Sequence, residues 1–470
     1  MFDKIIESKK EEMLSSLKTL ISFPSISIEN NDPKMPFGKA CNDALEYILK
    51  LGKELGFRIK NIDGYCGYIE FGEGEEIVGI IGHLDVVPAD DNWTYSPFNA
   101  SIKDDKLYGR GAIDDKGPVI SALYAMKAVL DTTKVNKRVR LILGLNEEKD
   151  WKCIKYYKEH EELPTIGFSP DADFPCIYAE KGILTFYLIQ EYNSIISENE
   201  PIKIINIDTN KNAINVVPKY CEVTLEILKS INCLKLIDNI KKYAKTFNFD
   251  ISAEQIDFEH VKIISKGISS HAAHPDLGKN AISQLLIILN KIFKEYKIEN
   301  SLITFFDKYI GLEYNGKTFG ISSSDESGDL TLNVGDFKIN NGNIEIGFNL
   351  RVPISINLDK LFELISSIVN SFSKKISLNL KGKKEPLYIN KDNFLVKTLC
   401  TIFNDKTKMN VNPIAIGGAT YARAFDNCIS FGANMPGHED MCHKVDEYIE
   451  IDSLILSSKI YANAIYELAK

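Results

Sequence analysis

Apolar residues in positions 1–180 come in two textures. In 8–21, Met13, Leu17, Leu20 and Ile21 recur at helical spacing, which predicts a helix with one buried stripe. At 77–81, 139–145 and 166–168 the apolar residues are instead continuous, short and bounded by polar or turn residues, the pattern of strands buried on both faces of a parallel sheet. Between the first two lies 116–130, which opens on Gly117 and Pro118 and carries Ala122, Ala125, Met126 and Val129 on one stripe, so a helix is predicted. Helix and strand alternating in this way predict an α/β domain with a mostly parallel sheet flanked by helices.

From about Lys181 the pattern changes to strict alternation, at 184–189, 220–227 and 344–350, with helical periodicity near 234–247, 280–296 and 359–373. This predicts an inserted α+β domain over 181–386. The first texture returns at the end of the chain, where 429–431 reads as a short buried strand and Asp452 as the cap of a last helix carrying Leu456, Ile460, Ala464 and Leu468. The catalytic α/β domain is thus expected in two parts, 1–180 and 387–470. No internal repeat or low-complexity tract interrupts it.

A chain of 470 residues is too long for one ordinary core, in keeping with this division. Its 44% hydrophobic and 26% charged residues are the balance of a folded globular protein. Net charge is −9, which gives no general attraction to nucleic acid or acidic membrane, and neither partner is expected. No apolar run approaches the roughly 18 residues of a membrane span, and 1–10 carries Asp3, Glu7 and several lysines where a secretory leader would be apolar. The nine cysteines are odd in number and form no CxxC pair, so a disulfide framework or structural zinc site is not expected and a cytoplasmic setting fits.

Three of the predicted parallel strands run into side chains that can hold a cation. Strand 77–82 is followed by His83, Leu84 and Asp85, strand 141–146 by Glu147 and Glu148, and 165–170 by Asp171. Ligands of open α/β sheets gather beyond the carboxyl ends of the strands, so these groups are expected to converge, and so many acids together need a cation. Alternation along an extended chain would put His83 and Asp85 on one face, the carboxylate holding the imidazole, although such a pair alone is as readily a satisfied structural one. Asp114 and Asp115 precede the helix at 116–130, and one can cap it while the other binds metal. Of Glu147 and Glu148, one can ligate a cation while its neighbour faces the substrate water.

A second imidazole comes from His443, in 442–447, with His438 as the rival. His160 and His260 lie in charged, exposed surroundings, whereas His271 falls in a small-residue loop of the insertion with His274 nearby. Residues 311–318 fit a phosphate-loop pattern, but no helical periodicity follows, and a tight Asn-Gly hairpin turn is the better reading.

Taken together, Gly82 to Pro88, then Trp93, Pro97 and Phe98, then Tyr108 to Gly111 and on through Asp115, Lys116 and Gly117, then Glu147 and Glu148, resemble the co-catalytic metallopeptidase family that includes aminoacylase and carnosinase. The stretches 168–175, 325–335 and 417–423 narrow the resemblance to PepV-type bacterial dipeptidases, over essentially the whole chain.

The resemblance implies hydrolysis of dipeptides, releasing the N-terminal amino acid, by water activated at two divalent ions. Zinc is the first expectation and manganese or cobalt would be accommodated. One ion would be held by His83, Asp115 and Asp171, the other by Asp115, Glu148 and His443, with Asp115 bridging. Asp85 would orient His83, Glu147 would be the general base, and His271 would donate to the oxyanion from the inserted α+β lid domain. Asn215, Arg351 and the loop from Gly418 through Thr420 to Arg423 would hold the substrate, including its terminal carboxylate. The sequence departs from relatives at His438, often arginine, and at Ala419, often glycine. An insertion larger than the family's small dimerisation domain favours a monomer. The alternatives are an N-acyl amino acid deacylase of the same family and a catalytically silent relative, the latter disfavoured because every ligand and base position is filled.

Overall fold

A computed structural model describes residues 1–89, 92–192 and 200–470. The chain divides into two compact units, one of Met1–Ala179, Leu387–Ala415 and Ala419–Lys470, the other of Glu180–Pro386 and Ile416–Gly418. The last three residues belong to the inserted unit although they lie within the expected second catalytic segment. There the carbonyl of Ile416 accepts from the Lys181 N–H (2.9 Å) and that of Gly417 from the Arg351 guanidinium (2.7 Å). Gly417 must lack a side chain, because a Cβ would stand 2.6 Å from that of Ala273.

In the first unit the continuous apolar runs form β1 (Ile77–His83), then follow α1 (Lys116–Thr132), β2 (Arg138–Gly144), β3 (Ile166–Ser169), β4 (Cys428–Ser430) and the terminal α2 (Ile451–Ala469). The strands lie in the order β2, β1, β3, β4, all parallel. Beyond β2 the sheet continues antiparallel through Cys66–Phe71 and Arg58–Ile62. Beyond β4 it continues through Ile177–Glu180, antiparallel, and Leu387–Tyr388. All seven residues of β1 are buried, which is why its sequence shows no alternation. The ends of β1, β2, β3 and β4 therefore open on one edge of the sheet.

Helix α2 starts two residues earlier than expected. Glu450 occupies the cap position without a side-chain cap bond, and Asp452 lies in the first turn, where a carboxylate still complements the helix dipole.

In the inserted unit the alternating segments form two antiparallel four-stranded sheets. One runs Thr331–Asn340, Asn343–Val352, Gly182–Glu191 and Ile376–Lys384; the other runs Ile202–Asp208, Tyr220–Ile227, His260–Lys266 and Asp250–Gln255. Every second residue of Tyr220–Ile227 is buried, so alternation reports the inner face directly. Helices Cys233–Phe247, Ala281–Glu295, Ser301–Tyr309 and Leu358–Phe372 each begin after an asparagine whose side chain accepts a backbone N–H of the first turn, at Asn232, Asn280, Asn300 and Asn357. Ser301–Tyr309 went unread in the sequence, being short. It precedes 311–318, where no flanking strands make a hairpin: Glu313 instead accepts from the Thr318 N–H (2.8 Å) and hydroxyl, closing a local turn that follows a helix.

Gly79 of β1 pairs with Gly167 of β3, and the approach of the two strands depends on glycine at position 167. A Cβ on Gly167 would run into the carbonyl of Gly79. Gly167→Ala is expected to lower stability by about 1–3 kcal/mol through forced strand separation, measured by denaturant unfolding. An unchanged midpoint would contradict the packing.

Candidate active site

β1 ends on His83, 1% exposed. Its Nδ1–H donates to the backbone carbonyl of Asp85 (2.9 Å), so Nε2 is the nitrogen that faces Asp114 Oδ1 at 3.0 Å and Asp171 Oδ2 at 3.7 Å. The Asp85 carboxylate also faces Nδ1, its Oδ1 standing 3.5 Å away, and it accepts the backbone N–H groups of Glu147 (3.0 Å) and Glu148 (3.1 Å). Asp85 thus contacts the His83 ring through both its carbonyl and its carboxylate, and it holds the turn beyond β2 through the same carboxylate.

The shared carboxylate differs from the expected one. Asp114, not Asp115, lies between the two imidazoles: its Oδ1 faces His83 Nε2 and its Oδ2 faces His443 Nε2, each at 3.0 Å. Asp115 precedes α1, its carbonyl accepting from Val119 and its Oδ2 from the N–H of His83 (3.1 Å). Its buried Oδ1 has no hydrogen-bond partner among the described residues. The division of labour between the two aspartates was legible, but its direction was set by where α1 begins. His443 Nε2 also stands 3.0 Å from Glu148 Oε1. His438 lies apart, its Nδ1 3.4 Å from Glu450.

Two overlapping triads result, His83 with Asp114 and Asp171, and Asp114 with Glu148 and His443, the potential ligand atoms of each lying within 4.8 Å of one another. Their electrostatics are those of acids crowded together. Burial pushes the Asp171 carboxyl up to about 7, with the charge of Asp114 adding to it. Loss of hydration likewise holds Glu147 well above the usual carboxylate range, against the pull of His83 and with help from Asp171 and Glu148. Burial works against a charged His443, but Asp114 and Glu148 outweigh it and raise the imidazole to about 11.

Of the residues expected on the substrate side, Asn215, His271, Arg351 and Gly418 fall in the inserted unit. The Asn215 carbonyl accepts from Ala272, and Val216 bridges to His271. Arg351, 4% exposed, donates to Asn349 Oδ1 (3.1 Å) and the Gly417 carbonyl, with Nη2 3.5 Å from His271 Nε2. Thr420 and Arg423 belong to the first unit, where the Thr420 hydroxyl meets Ser430 Oγ (2.7 Å) and caps the short helix Tyr421–Ala424.

The profile of peptidase family M20/M25/M40 matches residues 79–467. The chain belongs to this family. It is 37% identical over 472 residues to "Putative dipeptidase YtjP" of Bacillus subtilis (strain 168), covering 98% of both chains. To a "Putative dipeptidase" of Staphylococcus epidermidis it is 34% identical over 476 residues, covering 99% of this chain and 98% of the relative. Human carnosine dipeptidase 1 has the same fold, with a TM-score of 0.61 at 15% identity, 100% of this chain and 98% of that one being covered.

The donor set suits the two-metal chemistry of an M20 peptidase. Imidazole nitrogens and carboxylate oxygens, with no thiolate in either triad, match hard to borderline divalent ions, and the separations of 3.0 and 3.7 Å from His83 and of 3.0 Å from His443 are ones that two ligands of a single ion can span. Two features of this M20 site escaped the sequence reading. Tyr421 is fully buried, its hydroxyl 2.7 Å from Cys153 Sγ and its ring edge-on to His83; it lies inside 417–423, which was read for substrate contacts. Glu447 is fully buried beside Arg110, a pairing across 337 residues that no local pattern announces.

Because His443 is held protonated by its carboxylate neighbours, a metal ion must displace that proton. Below about pH 11 the apparent affinity should therefore rise with pH, about tenfold per unit for each proton displaced. Zn2+ titration of the metal-free protein in two buffers of different ionisation enthalpy should show net proton release at pH 7 to 8. Identical heats in both buffers would contradict it.

Proposed function

We propose that the protein is a dinuclear metallopeptidase that cleaves dipeptides and releases the N-terminal amino acid. The observation that carries this is the pair of triads sharing Asp114, with Glu147 next in sequence to Glu148. His83, Asp114 and Asp171 would hold one ion, Asp114, Glu148 and His443 the other. Zn2+ suits these donors, as do Mn2+ and Co2+. Bound there, two such ions lower the pKa of a water toward neutrality and polarise the scissile carbonyl.

The protein's own groups do the rest. Asp85 fixes the Glu147–Glu148 turn by two amide contacts, so one carboxylate can turn to the metal side and the other to the substrate. The raised affinity of Glu147 for a proton suits a group that takes one from the attacking water and gives it to the leaving amine. Chain-long likeness to relatives named dipeptidases favours a dipeptide over an N-acyl amino acid. The substrate's carboxylate falls to Arg351, a buried guanidinium already fixed by Asn349 and Gly417 and 3.5 Å from His271, with Gly418 next to Gly417 and Asn215 in the same unit.

Glu147→Ala should keep both metal equivalents and lose about 10² to 10⁴ in kcat. Metal analysis beside steady-state kinetics tests this, and normal turnover by the variant would refute the assignment.

If Arg351 reads the carboxylate, the wild type should hydrolyse a dipeptide well and its C-terminal amide and the matching tripeptide poorly. Arg351→Ala should cost about 10²-fold in kcat/KM on the dipeptide and little on the amide. Equal losses on both substrates would remove Arg351 from that role.

A further inference from the structure

We infer that the buried Arg110–Glu447 ion pair is a positioning device for the metal site formed by Asp114, Glu148 and His443. The inference rests on the reading of those residues as ligands. Neither member of the pair belongs to either triad, and both are buried, Arg110 at 2% exposure and Glu447 at 0%. Their contact is direct, Nη1 to Oε2 at 2.8 Å.

Each partner spends its remaining capacity on a different ligand. The second oxygen of Glu447 accepts from the backbone N–H of Ile113 (3.0 Å) and of Asp114 itself (3.2 Å). Arg110 donates to the carbonyls of Lys444 (3.3 Å) and His443 (3.5 Å), and its other reach is to Pro88 (3.2 Å). Its guanidinium lies 5.1 Å from the Trp93 ring. One ion pair thus ties the main chain of Asp114 to the main chain of His443.

That tie is needed because the His443 loop has an unfavourable backbone. His443 and Asp446 adopt left-handed conformations, φ 64 and 56, which non-glycine residues keep only when their surroundings enforce them. The Asp446 side chain accepts from Thr94 (2.8 Å) and Tyr95, and the Glu447 carbonyl accepts from Gly109 (2.9 Å). Arg110 and Glu447 complete this hold. Without them Asp114 and His443 would no longer be pre-set at the spacing one ion requires, and binding would have to supply the ordering.

The test uses the full chain, freed of metal and titrated with Zn2+ against a competing chelator. Glu447→Gln keeps the shape of the carboxylate and removes its charge; Arg110→Lys keeps the charge and removes the fork. Because Asp114 serves both triads, both variants should bind the two equivalents more weakly, the one that also needs His443 by the larger factor, about 10- to 100-fold, with kcat recovering at excess Zn2+. Glu70→Gln is the control. It breaks another buried pair of the same unit, Arg140 with Glu70 at 2.7 Å, and should lower Tm while leaving both Zn2+ equivalents unchanged. Should Glu447→Gln fail to fold, Arg110→Lys decides alone. Two wild-type equivalents with unaltered affinities in the variants would overturn the role of the pair. A wild-type protein that takes up no Zn2+ would overturn the ligand reading beneath it.

Discussion

Carboxylates gathered at the ends of parallel strands repel one another unless they share a cation, and the first unit is arranged around that constraint. Asp114, Glu148 and Asp171, with Glu147 beside them, come from three separate connections. Removing such groups from water favours their neutral forms, as the upward shifts of Asp171 and Glu147 show. His83 and His443 relieve part of the crowding as cations, and divalent ions held by the same atoms would relieve more of it. Stability and metal uptake are therefore linked in this unit through the same side chains.

The parallel sheet makes the crowding possible. β1, β2 and β3 are buried strands whose ends lie together, so the residues at and shortly beyond those ends, His83, Glu147 with Glu148, and Asp171, are carried to a common edge. Holding it there takes polar contacts from outside the ligand set: the Asp85 carboxylate on the Glu147 and Glu148 amides, Asp115 on the His83 amide, and Glu447 on the Asp114 amide. Three acids thus fix the main chain of the candidate ligands and of Glu147 beside them. A supporting shell of this kind limits how far the ligands can relax when they are empty, which favours tight and selective binding.

The inserted unit follows a different logic. Its two antiparallel sheets send their aliphatic side chains into a shared core, and its helices begin on asparagine caps, so its stability comes from ordinary amphipathic packing. The residues proposed for substrate contact in it are few. Arg351 and His271 lie within 3.5 Å, and the 416–418 excursion supplies the carbonyl that fixes the arginine. A guanidinium already fixed by its neighbours loses little further freedom on forming a new ion pair.

Hydrophobic period alone determined much of this protein: continuous apolar runs for the buried parallel strands, alternation for the two sheets of the insertion, and hence the approximate places where the chain passes between units. The residue types that follow each strand pointed to the groups now seen together at the sheet edge, because strand ends converge whatever the sequence between them. What the sequence could not decide was which atom of a local pair faces which neighbour. Asp114 and Asp115 are adjacent and chemically identical, and only the start of α1 and the amide of His83 turn one inward to the imidazoles and the other back to the strand. Asp85 has a carbonyl and a carboxylate two residues from His83; both face the ring, and the amides beyond β2 claim the carboxylate as well. Arg110 and Glu447 meet across 337 residues, a separation at which no spacing rule operates, so that contact exists only because the tertiary fold brings the two loops together.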